Sequence, residues 1–324
     1  SQALSAVELD RLVVAEGSDR VRFDVDDLPG RLALLVDGCD GDDPQVWLNG
    51  RAGEWALLRG APALSGSRQR ISRETLLRGK LLLISPAHPL PEDFPALNVR
   101  SIRALVGSYL PAEEGVLLER EAVYALCALQ LERPLETGAQ IYRGVLSNAQ
   151  QEAERQAAFE RFRAIRPLEE ALRLARLAVP AAGESEHQGG YALDIRLTGA
   201  LNMGRSDPLL RNETGEWLAE NAWRFGFLYR YGPGSEAEGA CEEIHLRYVG
   251  QGHAAAMQAA GLGLEEYWAL LRKERALTLT RGGEPWAYLY CAPCEGDWSL
   301  PLQPGAAWDA SADNTGWAVL IQML

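Results

Sequence analysis

The chain has 324 residues, of which 47% are hydrophobic and 24% are charged, so it can form two or three globular units with sizeable cores. Its net charge of −13 argues against binding to nucleic acid or to an anionic membrane surface, because both need clustered Lys and Arg. No run of 18 uninterrupted apolar residues occurs, and the sequence therefore encodes no membrane-spanning helix.

The N-terminal part is rich in strand signals. Residues 21–25 alternate between apolar and polar side chains, and residues 32–36 form an apolar run that ends in a turn pair. Residues 46–48 are apolar and precede Asn49-Gly50, a dipeptide typical of β-hairpins. We therefore predict a β-rich accessory domain over residues 1–78.

The following part mixes helix and strand patterns. Apolar residues at helical spacing predict a helix over 115–131, and residues 140–142 are predicted to form a short strand. Ser147 with Gln150 three positions later is a capping box, which opens a helix to about residue 165. Pro167 then begins a second helix that runs to about residue 178.

Two further strands carry polar residues on one face. In a strand over 190–197, Asp194 points away from the apolar face. After a helix over 214–224 with a left-handed cap at Gly226, a strand over 244–249 places His245 and Arg247 on one face.

The chain ends in helices and then strands. Residues 252–273 are predicted to form two short helices, and alternation after them predicts a β-rich C-terminal region. The predicted fold class is α+β, a small antiparallel sheet with helices over residues 79–272. A β-rich region over residues 273–324 follows it and is expected to pack with the N-terminal strands.

Five cysteines leave at least one thiol unpaired within a single chain. Cys127 falls in an apolar helical pattern and is predicted to be a buried free thiol. Cys291 and Cys294 form a lone C-x2-C pair. That pair is compatible with a local disulfide, with two ordinary strand residues or, given two more ligands, with a structural zinc site.

Two short segments carry the chemistry. The first offers His187 and Asp194, and the second offers His245 with Glu242 three positions before it. Two imidazoles, one carboxylate and one open coordination position make a catalytic zinc site, and a further carboxylate can accept the proton of the attacking water. Glu242 must lie in the turn before its strand, because residues three apart in a strand point to opposite sides.

The flanking residues make this pattern longer and more specific. The first segment follows S-x-H-x-x-G-x-A-x-D from Ser185, and the second follows E-x-x-H-x-R-Y-V-G from Glu242. This pair of motifs resembles the VanY/VanX-like zinc D-alanyl-D-alanine carboxypeptidases. Residues 83–94, 141–143 and 217–227 also resemble segments of that family, and the similarity extends in order over about residues 80–272.

The resemblance implies roles for individual residues. It implies Zn²⁺ as the cofactor, with His187, Asp194 and His245 as its ligands. It also implies that Glu242 is the general base and acid, that Arg143 holds the carbonyl oxygen as negative charge develops, and that Ser185 hydrogen-bonds the substrate. The partner is then a peptidoglycan stem peptide, from which a D,D-carboxypeptidase removes the terminal D-alanine.

Other activities on the same fold stay open: an L,D-carboxypeptidase, a peptidoglycan endopeptidase, or a non-catalytic cell-wall-binding protein. The presence of Glu242 argues against a binding protein, which needs no base. The chain departs from the family pattern at Gln140-Ile141, Gly144, Glu243 and Ile244. We expect Gln140, Ile141 and Ile244 to touch the substrate pocket.

A wall substrate also implies a location. The first residues, Ser1-Gln2-Ala3-Leu4, contain neither a basic n-region nor an apolar h-region. We expect an extracytoplasmic protein, in the cell envelope or secreted, whose signal or anchor is not part of this sequence.

Overall fold

The computed structural model of the protein describes residues 20–24, 31–37 and 46–49 as backbone strands, and residues 55–135, 138–197, 213–230 and 244–324 in fuller detail. The first strands are β1 Arg20–Asp24, β2 Arg31–Asp37, β3 Val46–Asn49, β4 Trp55–Arg59, β5 Ser67–Ile71, β6 Val99–Ser101, β7 Leu117–Glu119 and β8 Ala139–Arg143. The later strands are β9 Ala192–Leu197, β10 Phe227–Tyr229, β11 Ile244–Tyr248, β12 Ala276–Arg281, β13 Glu284–Pro293, β14 Trp298–Leu302, β15 Trp308–Ala312 and β16 Trp317–Met323.

The α-helices are α1 Arg73–Leu77, α2 Ile102–Val106, α3 Arg120–Glu132, α4 Asn148–Arg163, α5 Leu168–Ala178, α6 Glu213–Asn221, α7 Gln251–Ala260 and α8 Leu264–Glu274. In the described ranges, two 3-10 helices cover Glu186–Gly189 and Ala222–Phe225. Within the described ranges, no helix combines the length and the apolar character needed to cross a membrane.

A four-stranded antiparallel sheet in the order β10-β11-β9-β8 forms the centre of the middle part of the chain. One face of this sheet packs on α3, with Leu193 and Leu246 fully buried in the shared core. Because neighbouring residues of a strand point to opposite faces, Asp194 and His245 lie on the other face. The predicted alternation of both strands is therefore confirmed.

The C-terminal strands form a second sheet, in the order β15-β16-β13-β12-β4. Its edge strand β4 comes from the N-terminal side of the chain, and β5 likewise pairs with β14. Helices α7 and α8 cover this sheet through a core that contains Trp268 and Tyr267, both fully buried. Strands from the two ends of the chain thus share one body, while the domain boundaries at residues 78 and 272 stay predictions.

The ends of several helices agree with the sequence. The capping box of Ser147 and Gln150 is present at the start of α4, and Gly226 adopts the left-handed conformation with φ of 84°. The helix predicted over 115–131 begins later, at Arg120, so that prediction was wrong for its first residues. Of these, Leu117–Glu119 form β7, which pairs with β6. A strand of three residues is too short for its alternation to be recognised in the sequence.

The cysteines that the structure describes form no disulfide. Cys127 is buried and free, as predicted, and Cys291 and Cys294 are also free thiols. The Cys294 thiol donates to the Gly296 carbonyl at 3.2 Å. The C-x2-C pair is therefore not a disulfide, and the His, Cys, Asp and Glu side chains of the described ranges converge as a possible metal-binding group at one other place.

His253 of α7 makes stability depend on pH. Its Nδ1 lies 3.0 Å from the Tyr267 hydroxyl, and burial lowers the pKa of His253 to about 4, with Asp309 and Lys80 as the charged groups nearby. In the unfolded chain the pKa is about 6.5, so the unfolded chain binds a proton that the folded chain does not. The stability present above pH 6.5 is therefore lost as the pH falls towards 4, by about 3 kcal/mol.

We expect a His253→Gln variant to lose less stability than the wild type between pH 7 and pH 4.5. Urea unfolding at both pH values measures the difference, with His88→Gln as the control for loss of a histidine. An equal loss in the wild type and in His253→Gln would contradict the assignment.

Candidate metal centre

Two of the predicted ligands face each other across neighbouring strands. In the antiparallel pair of β9 and β11, His245 is directly opposite Asp194. The His245 Nδ1 lies 2.6 Å from the Asp194 Oδ1, and both side chains are buried. Because a one-residue slip of either strand would turn one of them to the core, the hydrophobic face of the sheet fixes this register.

The third predicted ligand comes from the 3-10 helix before β9. The His187 Nε2 lies 3.1 Å from the Asp194 Oδ2, and the two imidazole rings stand nearly perpendicular with centroids 5.0 Å apart. One ligand atom from each of His187, Asp194 and His245 lies within 4.8 Å of the others. The structure thus brings the three residues together.

The charges at this place favour a cation. Burial raises the pKa of Asp194, but His187 and His245 outweigh burial and hold that pKa well below its usual range. Burial lowers the pKa of His245, but Asp194 and Glu186 raise it more, to about 9. A buried carboxylate between two imidazoles is a set of donors that a divalent metal ion fits, and binding it would replace the imidazole proton.

The outward nitrogen of each ring also has a partner. His187 Nδ1 lies 2.8 Å from the Gly144 carbonyl, and His245 Nε2 lies 3.2 Å from the Glu186 Oε2. Such partners fix the tautomer and orientation of a metal-binding imidazole. A Cβ at position 144 would lie 2.1 Å from the Leu117 carbonyl oxygen, so glycine is required where the backbone approaches His187.

Glu186 is held by two arginines. Its Oε1 is 3.1 Å from the Arg230 Nη2 and 3.5 Å from the Arg247 Nη1, and its side chain is 4% exposed. Burial raises the pKa of Glu186, but Arg230 and Arg247 outweigh burial and hold the pKa well below its usual range. Arg230 also pairs with Glu265 at 2.7 Å. Glu186 is therefore a permanent anion behind His245.

The sequence did not identify Glu186 as a functional residue. Its position next to His187 was visible, but a Glu in that place is equally compatible with a solvated loop. The arginines that keep it charged lie 44 and 61 positions further along the chain, and no local pattern connects them with it.

Arg143 lies at the end of β8, opposite Asp194 in the sheet. Its Nη1 donates to the Asp194 Oδ2 at 2.7 Å, and its Nη2 is 3.3 Å from the Glu154 Oε2 on α4. The guanidinium also stacks on the Tyr142 ring, with 5.0 Å to its centroid. Arg143 is therefore placed beside the three converging side chains.

Of the other predicted site residues, Ser185 lies within the described ranges and Glu242 does not. Ser185 is buried and directly precedes the 3-10 helix Glu186–Gly189. Its side chain makes no capping hydrogen bond to that helix. Glu242 lies outside the described residues, two positions before β11 begins.

The expected contact of Ile141 and Ile244 with the substrate pocket is wrong. Both side chains are fully buried in the core between the sheet and α3. They point away from Asp194 because odd and even positions of a strand lie on opposite faces. Gln140 accepts hydrogen bonds from Arg196 at the exposed edge of the same sheet.

Comparison with known proteins agrees with this geometry. A family model described as VanY, D-alanyl-D-alanine carboxypeptidase, matches residues 128–251, a range that includes all three converging side chains. The chain is 26% identical over 226 residues to a D-alanyl-D-alanine carboxypeptidase of Enterococcus faecium, covering 68% of this chain and 67% of the relative. It is 45% identical over 93 residues to one of Enterococcus faecalis (strain ATCC 700802 / V583), covering 28% of this chain and 31% of the relative.

A solved structure shares the fold. The vancomycin resistance D,D-dipeptidase VanXYg, in complex with a D-Ala-D-Ala phosphinate analog, matches with a TM-score of 0.63 and 20% sequence identity. The match covers 79% of this chain and 98% of that chain. The predicted α+β fold, a small antiparallel sheet with helices and a strand-rich C-terminal region, is confirmed.

Proposed function

We propose that this chain is a peptidase of the VanY type that binds zinc at His187, Asp194 and His245 and removes the C-terminal D-alanine from peptidoglycan stem peptides. The observation that carries the proposal is the meeting of these three buried side chains within 4.8 Å. The nitrogen and carboxylate donors are those that zinc prefers.

The residues of the site have distinct roles in this proposal. Zinc, when bound, supplies a Lewis acid that polarises the scissile carbonyl and makes water a better nucleophile at neutral pH. Glu242 accepts the proton of the attacking water and returns it to the leaving amine. Arg143 stabilises the negative charge that develops on the carbonyl oxygen, and Ser185 hydrogen-bonds the peptide.

The D,D-carboxypeptidase reaction is the first choice among the related activities. It follows the names of the two Enterococcus relatives, both D-alanyl-D-alanine carboxypeptidases. Because Ile141 and Ile244 face the core, they give no reason to expect an altered pocket. A peptidase of this kind acts on the wall, so we also propose an extracytoplasmic location for it.

A digest of two synthetic stem peptides tests the proposal. We expect the zinc-loaded protein to release one alanine from the pentapeptide and none from the tetrapeptide, as measured by mass spectrometry. Release from the tetrapeptide alone would indicate an L,D-carboxypeptidase, and cleavage of cross-linked dimers alone an endopeptidase. Binding without any cleavage would reject the enzymatic proposal.

Arg143→Gln is expected to lower kcat by about 10²–10³-fold, because it removes a donor for the developing oxyanion. Metal analysis should find zinc still bound, since the ligand atoms remain. Arg196→Gln is a matched control: Arg196 lies two residues from Asp194, is exposed, also stacks on Tyr142 and pairs with the half-buried Glu113. An unchanged kcat for Arg143→Gln would remove Arg143 from the reaction.

Glu186→Gln is expected to weaken zinc binding by about 10–100-fold, because it removes the charge that orients His245. Competition with a chromogenic chelator measures the affinity, and the melting temperature shows whether the variant is folded. Glu265→Gln, which contacts the same Arg230 from an exposed position, is the control. A folded Glu186→Gln protein with wild-type zinc affinity would contradict this role.

A further inference from the structure

A cavity of about 340 Å³ lies between the catalytic part and the C-terminal strands. Tyr191 and Tyr248 line it, together with the beginning of α7 and the segment before β15. Both tyrosines belong to the core face of the central sheet, because Tyr248 is three positions from His245 and Tyr191 is three from Asp194. The cavity is therefore separate from the metal centre.

Three of the charged groups of this cavity form one ion-pair cluster. The Lys80 Nζ lies 2.8 Å from the Glu121 Oε2 and 2.7 Å from the Asp309 Oδ2. The remaining charged lining residues are two arginines and one glutamate, Arg78, Arg120 and Glu119, so basic and acidic side chains are equal in number. Since three basic side chains stand against three acidic ones, the lining as a whole has no net formal charge that would select an ion.

A buried polar atom in the wall has no partner. His253 is 2% exposed, and its Nε2 makes no hydrogen bond to any of the residues that the structure describes. The ring is neutral at pH 7, because burial lowers the pKa of His253 to about 4. When the buried Tyr267 hydroxyl donates to Nδ1, the ring proton lies on Nε2, which is enclosed in the wall, so His253 contributes a neutral ring and no charge to the cavity.

Aromatic rings complete the lining. Trp286 and Trp308 are half-buried and stand with the two tyrosines around the same space. Aromatic surface beside a few hydrogen-bonding groups is typical of sites for small organic ligands. A ligand that suits aromatic faces, polar side chains and a lining of balanced charge is a ring with apolar C–H faces and polar hydroxyl or amide edges.

We propose that this cavity binds one neutral sugar ring of the peptidoglycan glycan, an N-acetylated amino sugar. The choice of wall glycan rests on the proposed function, whereas the preference for an uncharged, polyhydroxylated ring rests on the lining itself. Occupancy of the cavity would hold the enzyme on the strand that carries its stem peptides and raise their local concentration.

Binding is tested without any peptide substrate. N-acetylglucosamine and its β-1,4-linked trimer are titrated into the zinc-loaded full chain, with binding followed by calorimetry and tryptophan fluorescence. For a ligand of this size we expect a Kd of about 1–10 mM for the single sugar. Sodium sulfate and putrescine are the probes for an anion site and for a cation site.

Two variants locate the binding. Ala306 and Ala307 line the cavity and are half-buried, so a tryptophan at either position should fill it and weaken sugar binding at least tenfold. Ala157→Trp, at an exposed position of α4, is the control and should bind as the wild type. Melting temperatures show which variants are folded, and either cavity variant alone suffices.

Absence of sugar binding to the wild type at 50 mM, about five times the upper expected Kd, would overturn the proposal. Sugar binding that folded Ala306→Trp or Ala307→Trp retains, or binding of sulfate or putrescine in place of the sugar, would also overturn it. A protein that binds the sugar but releases no D-alanine would refute the proposed peptidase activity alone. One that releases D-alanine and binds no sugar would refute the sugar site alone.

Discussion

Asp194→Ala is expected to abolish zinc binding and D-alanine release together. The Asp194 carboxylate lies within 3.1 Å of one nitrogen of each imidazole, so its loss removes one ligand and the anion that draws the other two together. The effect on zinc affinity should exceed the factor of about 10–100 that is typical for residues behind a metal ligand. Metal analysis after dialysis and a pentapeptide assay measure both losses.

Asp93→Ala is the control for this substitution, because Asp93 is exposed and pairs only with Arg73 among the contacts described for its side chain. It should leave zinc content and turnover unchanged. If Asp194→Ala kept stoichiometric zinc, Asp194 would not be a ligand and the metal centre would need a different third donor.

Glu242→Gln is expected to lower turnover by about 10²–10⁴-fold while zinc stays bound, because the amide cannot accept the proton of the attacking water. Glu242 precedes β11 by two residues, a length of chain that spans at most about 7 Å, and His245 is the second residue of that strand. Comparison of kcat and of zinc content in the same preparation separates loss of the base from loss of the metal.

The chain provides a matched control at the next position. Glu243→Gln changes the same side chain in the same segment and should retain wild-type turnover. Full activity of Glu242→Gln, or an equal loss in both variants, would refute the assignment of the base.

The sequence predicted those features that depend on neighbours along the chain. The alternation of β9 and β11 separates Asp194 and His245 from the apolar face, and the capping box of Ser147 marks the start of α4. Local hydrogen bonds and a regular alternation determine both features, so a single sequence contains the information.

Features that depend on distant contacts were missed or wrong. Glu186 is kept charged by Arg230, which follows β10, and by Arg247 of β11. Lys80 pairs with Asp309, which lies 229 positions further along the chain. Ile244 was assigned to the substrate pocket from its place in a motif beside His245, although the alternation of β11 turns its side chain into the core. For Ile244, the strand periodicity predicts the direction of the side chain better than its closeness to His245 in the motif does.

The dependence of peptide hydrolysis on zinc is the most direct test of the account. The protein is stripped of metal with a chelator, dialysed, and assayed for D-alanine release from the pentapeptide before and after one equivalent of zinc is added. We expect no release from the stripped protein and full release after zinc is restored, with no recovery in Asp194→Ala. Equal release by the stripped and the zinc-loaded protein would contradict a metal centre at His187, Asp194 and His245.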